Sequence, residues 1–361
     1  MRILFGICSW GLGHATRSLP IIRKIIDEGH EVTVVSSGRS LSMLKKELGP
    51  GPNFAWLDDY QPAETLNPSF LVPSTLFRFP MYVTAMLRER DFVRRLLVRR
   101  KMDVIFSDNR FGFYSRDVPS FFMSHQLRIL NPLGTRVLEN GTEIYNNYFF
   151  KRYAGVLVPD FEEDGLAGRL AHGLSIIDEK RLNYIGVLSE FSYHSAVQDV
   201  DIFVSISGPE PQRSAFESLV RKQLNAFEGR VVVSLGKPDD GQMNNGHIEP
   251  NVKSYLGRAE REELLNRSKI VIARSGYSTL MDLCSLRKRG FLIPTSGQPE
   301  QEYLAKHHME RRNFYSVQEK ELDLKSQLEE ALSFRSPELK YPTDRAVEKA
   351  VDVITGTARN A

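Results

Sequence analysis

Short apolar runs alternate with amphipathic stretches along the first half of the chain, and this alternation predicts repeated strand–helix units. Residues 2–8 form an apolar run typical of a buried strand, and residues 14–28 place Leu19, Ile22 and Ile26 on one helical face. Further strands are predicted at 31–36, 54–57, 103–107, 118–123, 154–158 and 184–188, with helices at 40–48 and 78–101. Because parallel neighbours need a crossover connection, this order predicts an α/β fold with a doubly wound parallel sheet.

A polar segment without periodicity, residues 189–199, separates this series from a second one and predicts a linker. Beyond it, strands at 201–206, 230–235, 270–273 and 290–294 alternate with helices at 213–227, 260–266 and 279–286. Residues 344–354 show helical spacing. We therefore expect two doubly wound domains, 1–190 and 195–337, with a ligand in the cleft between them. A C-terminal helix within 340–361 is expected to pack back on the first domain.

Composition narrows the class of protein. The 361 residues are 41% hydrophobic and 26% charged, which argues against extended disorder, collagen and coiled coil. No apolar run reaches the roughly 18 residues of a membrane span, and the N-terminal run is too short for a secretory signal. Cys8 and Cys284 lack the spacing of a disulfide framework or a zinc site. The net charge of +3 is too small to indicate a nucleic-acid partner, so we expect a cytoplasmic protein of enzyme size.

The turn after the first strand contains Gly11, Gly13 and His14. Glycines there let the backbone approach a ligand closely, and the N-terminus of the next helix favours an anion or a polar group. The dinucleotide fingerprint GxGxxG needs a third glycine where Thr16 stands, and no acidic residue ends the second strand, so dinucleotide binding is disfavoured. A histidine here suits a general base, and a purely structural histidine is the alternative.

Asp108 stands just past the strand predicted at 103–107, where open α/β sheets place functional residues. There it could orient an imidazole and stabilise its protonated form, or it could cap the next segment. Two other acidic clusters, Asp58-Asp59 and residues 162–164, lack a convincing ligand context and are expected to be solvated loops.

The densest polar cluster follows the strand at 270–273, where residues 274–276 lead into a helix whose first turn carries two hydroxyls. The free N–H groups and hydroxyls predict a phosphate cradle, and Asp282, about one turn further on, is placed to bind ribose hydroxyls. A polar loop at 293–303 is rich in amide and carboxylate groups able to bind a sugar. Either segment could instead be ordinary turn chemistry.

Together these segments resemble the two-domain GT-B glycosyltransferases, and family 28 in particular, which contains the N-acetylglucosamine transferase of peptidoglycan synthesis and the plant monogalactosyldiacylglycerol synthases. The turn ending in His14 is similar to that family's GxGH. Residues 274–282 are similar to its RSGxxTxxE signature, with Asp282 in place of the glutamate, and residues 293–303 to its sugar-binding loop. Residues 205–213 resemble an uncharacterised, largely archaeal and bacterial branch. The resemblance covers essentially the whole chain and implies two doubly wound Rossmann-like domains facing each other across a cleft.

The resemblance implies a division of roles between the domains. The N-terminal domain would receive the acceptor, with His14 and Asp108 as the catalytic pair and with Gly11, Gly13 and His125 at the acceptor or its turn. The C-terminal domain would bind a nucleotide-sugar, most often a UDP-sugar. Its implied donor-binding residues are Gly208, Gln212, Arg213, Leu256, Arg274, Ser275, Gly276, Ser278, Thr279, Asp282, Gln298, Glu300 and Gln301.

The implied reaction is an inverting transfer, in which a base deprotonates an acceptor hydroxyl that attacks the anomeric carbon in line. Helix N-termini with Arg213 and Arg274 would stabilise the leaving pyrophosphate, so we expect no metal or cofactor beyond the UDP-sugar co-substrate. The acceptor would be a sugar, a lipid or a cell-envelope glycan. Two alternatives stay open: an enzyme like the UDP-N-acetylglucosamine 2-epimerases, which share the fold, and a non-catalytic sugar-nucleotide-binding subunit.

Positive charge is concentrated in one segment, residues 76–101, whose net charge is +6. Its basic residues are Arg78, Arg88, Arg90, Arg94, Arg95, Arg99, Arg100 and Lys101. The apolar residues beside and among them are Phe70, Leu71, Phe77, Phe79, Met81 and Tyr82. This combination predicts peripheral docking on an anionic membrane surface, at the inner face of the cell membrane. A solvated basic face over an ordinary core is the alternative.

Overall fold

The structure is a computed structural model that describes residues 1–60, 71–131, 135–208, 210–224, 227–237 and 251–359, with the backbone alone described for 71–76 and 357–359. Phe70, Pro209, Asn360 and Ala361, which belong to predicted segments, lie outside the described residues, as does the side chain of Leu71. The chain divides into two compact units, residues 1–188 with 341–361 (unit 1) and residues 189–340 (unit 2).

Unit 1 is built from parallel strands and the helices that connect them. Its strands are β1 (Arg2–Ile7), β2 (Glu31–Ser36), β3 (Asn53–Trp56), β4 (Val104–Asp108), β5 (Ser120–Met123), β6 (Gly155–Val158) and β7 (Leu182–Tyr184). Its helices are α1 (Gly13–Asp27), α2 (Gly38–Leu48), α3 (Leu71–Arg99), α4 (Arg136–Phe150) and α10 (Thr343–Arg359).

The sheet of unit 1 has the order β3-β2-β1-β4-β5-β6-β7, with all neighbouring strands parallel. The central strands β1 and β4 are buried along nearly their whole length because helices cover both faces of a doubly wound sheet. Successive strands are added on one side of β1 as far as β3, and from β4 onwards they are added on its other side, so the switch point of the sheet lies between β1 and β4. The carboxyl ends of these two strands are therefore the place in this sheet where a ligand is expected.

Unit 2 repeats the same plan. Its strands are β8 (Val200–Ser205), β9 (Val231–Ser234), β10 (Val252–Lys253), β11 (Ser268–Ala273), β12 (Arg289–Leu292) and β13 (Tyr315–Ser316). Its helices are α5 (Gln212–Leu224), α6 (Arg258–Arg267), α7 (Tyr277–Ser285), α8 (Pro299–Glu310) and α9 (Leu324–Ser333). The parallel sheet has the order β10-β9-β8-β11-β12-β13, and its direction reverses between β8 and β11. The predicted fold class, two doubly wound Rossmann-like units, is confirmed.

Several elements differ from the sequence-based expectation. The segment 293–303, expected to be a polar loop, is helical from Pro299 onwards, because Gln298 caps the helix by accepting a hydrogen bond from the Gln301 N–H. Helices α4 and α9 and the two-residue strands β10 and β13 were not expected from the pattern. Strand β7 begins two residues before the predicted strand and ends at Tyr184.

The segment 189–199, expected to be a linker, has no helix or strand and lies on unit 2. The Asn266 side chain in α6 accepts a hydrogen bond from the His194 N–H and donates one to the Ser192 carbonyl, at 3.2 and 3.1 Å. Helix α10 belongs to unit 1, where it packs on α1 and β4 although it comes last in the chain. The chain thus leaves unit 1 once and returns to it.

Candidate functional site

The turn after β1 and the end of β4 bring His14 and Asp108 together. Asp108 pairs with Ile7 in the sheet register, and His14 is the second residue of α1, which begins six residues after Ile7, the last residue of β1. Gly11 has a φ of +69°, a conformation that glycine adopts without strain, and this lets the chain reverse before the helix. As a result His14 Nδ1 lies 2.8 Å from Asp108 Oδ1.

The Asp108 carboxylate is fully buried and collects several hydrogen bonds. Arg17 Nε and Ser18 Oγ each donate to Oδ2 over 2.9 Å, and Arg17 Nη2 donates to Oδ1. Burial by itself would raise the pKa of Asp108, but the Arg17 guanidinium and His14 outweigh it and hold that pKa well below its usual range. Asp108 is therefore an anion that only accepts hydrogen bonds, while His14, with 13% of its side chain exposed, is reachable from solvent.

His125, which follows β5, joins the same cluster through Arg17. Arg17 Nη1 lies 2.8 Å from His125 Nδ1, and Arg17 is 2% exposed. Residues His14, Arg17, Ser18, Asp108 and His125 are called the His14 cluster below. The structure thus brings together three residues predicted separately and adds Arg17 and Ser18, which sequence reasoning did not assign.

The glycine turn is fastened to the neighbouring loops. Ser40 Oγ donates to the Gly11 carbonyl over 2.9 Å, and Ser9 Oγ donates to Asp59 Oδ1 over 2.7 Å. The Trp10 indole is edge-on to Tyr60, with ring centroids 5.2 Å apart. The expectation that Asp59 lies in a merely solvated loop is wrong, because its carboxylate holds Ser9 at the start of this turn.

In unit 2, the switch point between β8 and β11 is surrounded by the predicted donor residues. Gly208, with a φ of +111°, follows β8, and Arg274, Ser275 and Gly276 join β11 to α7. The first turn of α7 leaves Ser278 and Thr279 half-buried at a helix N-terminus, where backbone N–H groups favour an anion.

The two arginines expected to contact pyrophosphate have internal partners instead. Arg213 is 2% exposed; its Nε donates to Glu210 over 2.7 Å, and its Nη1 donates to the Leu235 carbonyl over 3.3 Å. Arg274 donates to the Ile293 and Pro294 carbonyls, each over 3.2 Å, and pairs with Glu319. Both guanidiniums therefore hold loops in place in this structure, and their contact with a pyrophosphate stays a prediction.

Other predicted donor residues also support the loops. Ser275 Oγ donates to the Gln301 carbonyl over 2.8 Å, and Gln301 Oε1 accepts from the Thr295 N–H over 3.0 Å. The Leu256 side chain is buried in the core, so only its backbone can meet a ligand. Glu300 lies in the first turn of α8, and Gln212 begins α5 with a buried Oε1 that has no hydrogen-bond partner among the described residues.

Asp282 has a polar neighbourhood that the sequence did not show. Ser189 Oγ donates to its Oδ1 over 2.7 Å. Arg261 of α6 interacts electrostatically with the same carboxylate and donates to Ser205 Oγ over 3.0 Å. Burial raises the pKa of Asp282 to about 6, against the opposing effects of Ser189 and Arg261. Arg261 is the cation that sequence reasoning missed here, because nothing in its local pattern links α6 to the end of β8.

No group of three or more His, Cys, Asp or Glu side chains in the described ranges could hold a metal ion. Across the same ranges, no helix combines the length and the apolar character needed to cross a membrane.

Sequence comparisons agree with the two-unit plan. Residues 1–54 match the model described as glycosyl transferase family 1, and residues 211–355 match the glycosyltransferase family 28 C-terminal domain. An uncharacterized glycosyltransferase of Methanosarcina acetivorans is 29% identical over 178 residues, which cover 45% of this chain and 42% of that protein. One from Methanosarcina mazei is 23% identical over 348 residues, covering 88% of this chain and 84% of that one.

Solved structures share the fold at low sequence identity. The calicheamicin glycosyltransferase CalG4 aligns over 100% of this chain and 96% of its own, with a TM-score of 0.61 and 14% identity. The spinosyn rhamnosyltransferase SpnG, complexed with thymidine diphosphate, covers 99% and 96%, with a TM-score of 0.56 and 13% identity. A Listeria monocytogenes protein described as a UDP-N-acetylglucosamine 2-epimerase covers 100% and 97%, with a TM-score of 0.57 and 12% identity.

Proposed function

Because the chain is a family 28-like glycosyltransferase of the GT-B fold, we propose that it transfers a sugar from a UDP-sugar to an acceptor hydroxyl, with inversion at the anomeric carbon and His14 as the base. The observation that carries this proposal is the contact of 2.8 Å between His14 Nδ1 and the buried Asp108 carboxylate. Unit 1 would receive the acceptor and unit 2 the donor.

The His14–Asp108 contact determines which nitrogen of His14 can act. Since the ionised Asp108 only accepts, Nδ1 carries the proton and donates it to Oδ1, and Nε2 keeps its lone pair. Nε2 takes the proton of the acceptor hydroxyl while the hydroxyl oxygen forms a bond to the anomeric carbon. The bond from that carbon to the β-phosphate oxygen breaks, and UDP leaves with the electron pair. Asp108 then stabilises the imidazolium.

The donor side of the proposal depends on unit 2. The N–H groups at the start of α7 and the hydroxyls of Ser278 and Thr279 favour binding of the pyrophosphate. Asp282 would accept hydrogen bonds from the ribose hydroxyls once Ser189 gives way. Arg261 interacts electrostatically with the Asp282 carboxylate and supplies positive charge for an anionic donor. Arg213 and Arg274, which would otherwise supply this charge, are paired internally. No metal or cofactor is needed for the scheme.

His14→Asn tests the proposal directly. We expect kcat to fall by roughly 10²–10⁴-fold because the general base is lost. UDP affinity, measured by titration calorimetry, should stay within about twofold, since His14 lies in unit 1 and the donor binds unit 2. His172→Asn is the matched control: His172 also pairs with a buried carboxylate in unit 1, Asp160, at 2.9 Å, but belongs to a different loop. Full activity of His14→Asn, or equal losses in both variants, would contradict the proposal.

The two alternatives predict different outcomes with the wild-type protein. The neighbour described as an epimerase keeps that alternative open on fold alone. An epimerase would isomerise its sugar nucleotide without an acceptor, whereas a transferase releases UDP in proportion to acceptor. A non-catalytic subunit would bind UDP-sugars and turn over none of them. Product analysis with a panel of UDP-sugars, each with and without acceptor, separates the three.

We further propose that unit 1 docks on an anionic membrane surface through α3 and α4. Helix α4 is inverted relative to a usual amphipathic helix: it buries Glu139, Glu143 and Asn146 and exposes large apolar side chains. Tyr145 of α4 contacts Met86 of α3, at 3.6 Å between Oη and Sδ, so the two helices touch at this point, and we treat their exposed apolar side chains as one docking surface. The exposed apolar residues of this α3–α4 surface are Phe77, Phe79, Met81, Leu87, Val137, Leu138, Ile144 and Tyr148.

Charge complementarity is the argument for a lipid surface as the occupant. Arg88 is exposed next to Leu87 on α3, and Arg94, Arg95, Arg99 and Lys101 are exposed on the last two turns of this helix or just after it. Asp91 neutralises part of this charge by pairing with Arg94 and Arg95. An apolar patch with a basic border fits the headgroup region of an anionic bilayer and would bring unit 1 to a membrane-bound acceptor.

A further inference from the structure

Arg17 is the residue through which the parts of the His14 cluster contact one another. It lies three residues after His14 on α1, so both side chains are on one face of the helix. Its guanidinium meets Asp108 side-on, with Nε donating to Oδ2 over 2.9 Å and Nη2 donating to Oδ1. Its other edge donates from Nη1 to His125 Nδ1 over 2.8 Å. One planar group therefore connects the ends of β1, β4 and β5.

The chemistry of these contacts fixes protons on both imidazoles. A guanidinium donates and never accepts, so His125 Nδ1 must be unprotonated and the proton of neutral His125 is on Nε2. His14 Nδ1 and Arg17 Nη2 lie 2.9 Å apart because both donate to the same oxygen, Asp108 Oδ1. Oδ1 can accept both, since a carboxylate oxygen has two lone pairs.

We infer that Arg17 is a positioning residue for the transfer reaction, holding Asp108 so that Oδ1 faces His14 and holding His125 as the Nε2–H tautomer. This inference rests on the proposed function for its kinetic part. Without Arg17 the carboxylate would be held by single hydrogen bonds from His14 and Ser18, whereas the side-on pair with Arg17 fixes both of its oxygens at once. The buried ion pair is not needed for stability alone, because an apolar pair of similar volume usually stabilises a core at least as well.

The first test is spectroscopic and needs no substrate. In the full chain labelled with ¹⁵N-histidine, long-range ¹H–¹⁵N spectra distinguish protonated from bare ring nitrogens among the eight histidines. His14→Asn and His125→Asn assign the two signals. We expect His14 with the proton on Nδ1 and His125 with the proton on Nε2 only. A proton on His125 Nδ1 at pH 7.5 would overturn the inference, because the contact with Arg17 could not then exist.

The second test changes Arg17 itself. Arg17→Met keeps the length and removes the donors, and Arg17→Lys keeps the charge but cannot form the side-on pair and the His125 contact together. We expect kcat to fall at least tenfold in both variants while the donor KM stays within about twofold, since the base is misplaced and the donor is untouched. The ¹⁵N signals of His14 and His125 should move towards values averaged between tautomers. Arg23→Met, on the same helix and paired with Glu47, should change neither readout.

The remaining outcomes separate this inference from the proposed function. If wild-type protein transfers sugar and Arg17→Met matches Arg23→Met in kcat and in spectra, Arg17 does not position the site. Arg17→Lys with wild-type kcat would mean that charge suffices, which also overturns it. If the wild type transfers no sugar, the proposed function fails, and the histidine spectra alone decide on Arg17.

A double variant tests whether Arg17 acts through Asp108. If it does, Arg17→Met combined with Asp108→Asn should lower kcat little more than Asp108→Asn alone.

Discussion

The ionised carboxylate of Asp282, the residue proposed to bind the ribose, lowers the stability of the folded protein. Its side chain is half-buried beside Ser189 and Arg261, and the loss of solvent around the carboxyl raises its pKa to about 6. In the unfolded chain the same group titrates near its ordinary value of 3.8. Between these two values the folded protein holds a proton that the unfolded chain has released, so stability falls as pH rises through this window and stays lower above it.

Asp282→Asn should therefore stabilise the protein above pH 7. The amide keeps the shape and can still accept from Ser189, but it carries no charge to bury. We expect the free energy of unfolding to rise by about 2 kcal/mol at pH 7.5. The gain should shrink as pH falls and vanish below about pH 3, where the carboxyl is protonated in both the folded and the unfolded wild type. Urea unfolding of both proteins across this pH range measures the difference.

Asp199 is the matched control, because its pKa is shifted in the opposite direction and its ionised form stabilises the folded protein. Hydrogen bonding to Arg267, with Arg230 adding its charge, lowers the pKa of Asp199 to about 2. Its contribution to stability is present above pH 4 and is lost as pH falls through 2. Asp199→Asn should therefore destabilise the protein at pH 7.5 and converge with the wild type in acid. If Asp199→Asn raised the free energy of unfolding at pH 7.5, or if Asp282→Asn lowered it, these assignments would be contradicted.

At the residue scale, the sequence revealed those site residues that follow strands. The pairing of His14 with Asp108 could be predicted from the sequence. Strands β1 and β4 were recognisable, and functional groups collect at the carboxyl ends of parallel strands. Arg17 was also within reach, since it lies one turn after His14 on the same helix face. The internal partners of Arg213 and Arg274 could not be found, because Leu235, Ile293 and Glu319 are distant in sequence and a cation carries no local sign of its partner.

Among the elements, α4 shows why a periodic pattern can mislead. Several apolar residues of this helix, such as Val137 and Ile144, are exposed, and its buried face holds Glu139 and Glu143 beside Phe150. Arg169 and Arg128 pair with these two carboxylates. A rule that turns apolar residues inward places such a helix incorrectly or misses it. Elements of two residues, β10 and β13, carry too little pattern to be found at all.

Helix α3 gives the test of the membrane proposal. Phe77→Ser combined with Met81→Ser removes two exposed apolar side chains from the α3–α4 surface and leaves the basic residues in place. We expect wild-type protein to float with liposomes rich in anionic lipid, less so as salt rises, because surface charges are then screened. The double variant should float several-fold less, because part of the binding energy comes from apolar contact.

Val98→Ser is the control on the same helix. Val98 and Phe77 are equally exposed, at 85%, but Val98 lies about six turns further along, away from Phe77 and Met81. Flotation of this variant should match the wild type. If wild-type protein shows no salt-sensitive flotation, or if Val98→Ser lowers flotation as much as the double variant does, the α3–α4 surface does not dock on lipid.

For the molecule as a whole, the division into two units predicts that α10 stabilises unit 1 and not unit 2. Its residues Ala346, Ala350, Val351 and Ile354 are buried in unit 1, on α1 and β4. Removing residues 341–361 should destabilise unit 1 by several kcal/mol, since each large apolar side chain contributes roughly 1.5–3 kcal/mol when buried. Unit 2 should be unaffected because its sheet is complete within residues 189–340.

Tryptophan fluorescence reports on unit 1 alone, because both tryptophans of the chain, Trp10 and Trp56, belong to it. In the truncated chain the fluorescence midpoint in urea should shift to lower concentration, while a second transition seen by circular dichroism stays in place. Added peptide 341–361 should restore the midpoint, and the isolated fragment 189–340 should unfold cooperatively. An unchanged fluorescence midpoint would show that α10 contributes nothing to the core of unit 1.

The return of the chain to unit 1 also sets an order of events during synthesis. After Leu188 the ribosome must make residues 189–340, on the order of 10–30 s at ~5–20 residues per second, before α10 appears. During that interval the nascent unit 1 presents the apolar surface of α1 and β4 that α10 will later cover. Unit 2 can complete its core first although it comes second, and the earlier half of the polypeptide is the half whose apolar surface stays uncovered longest.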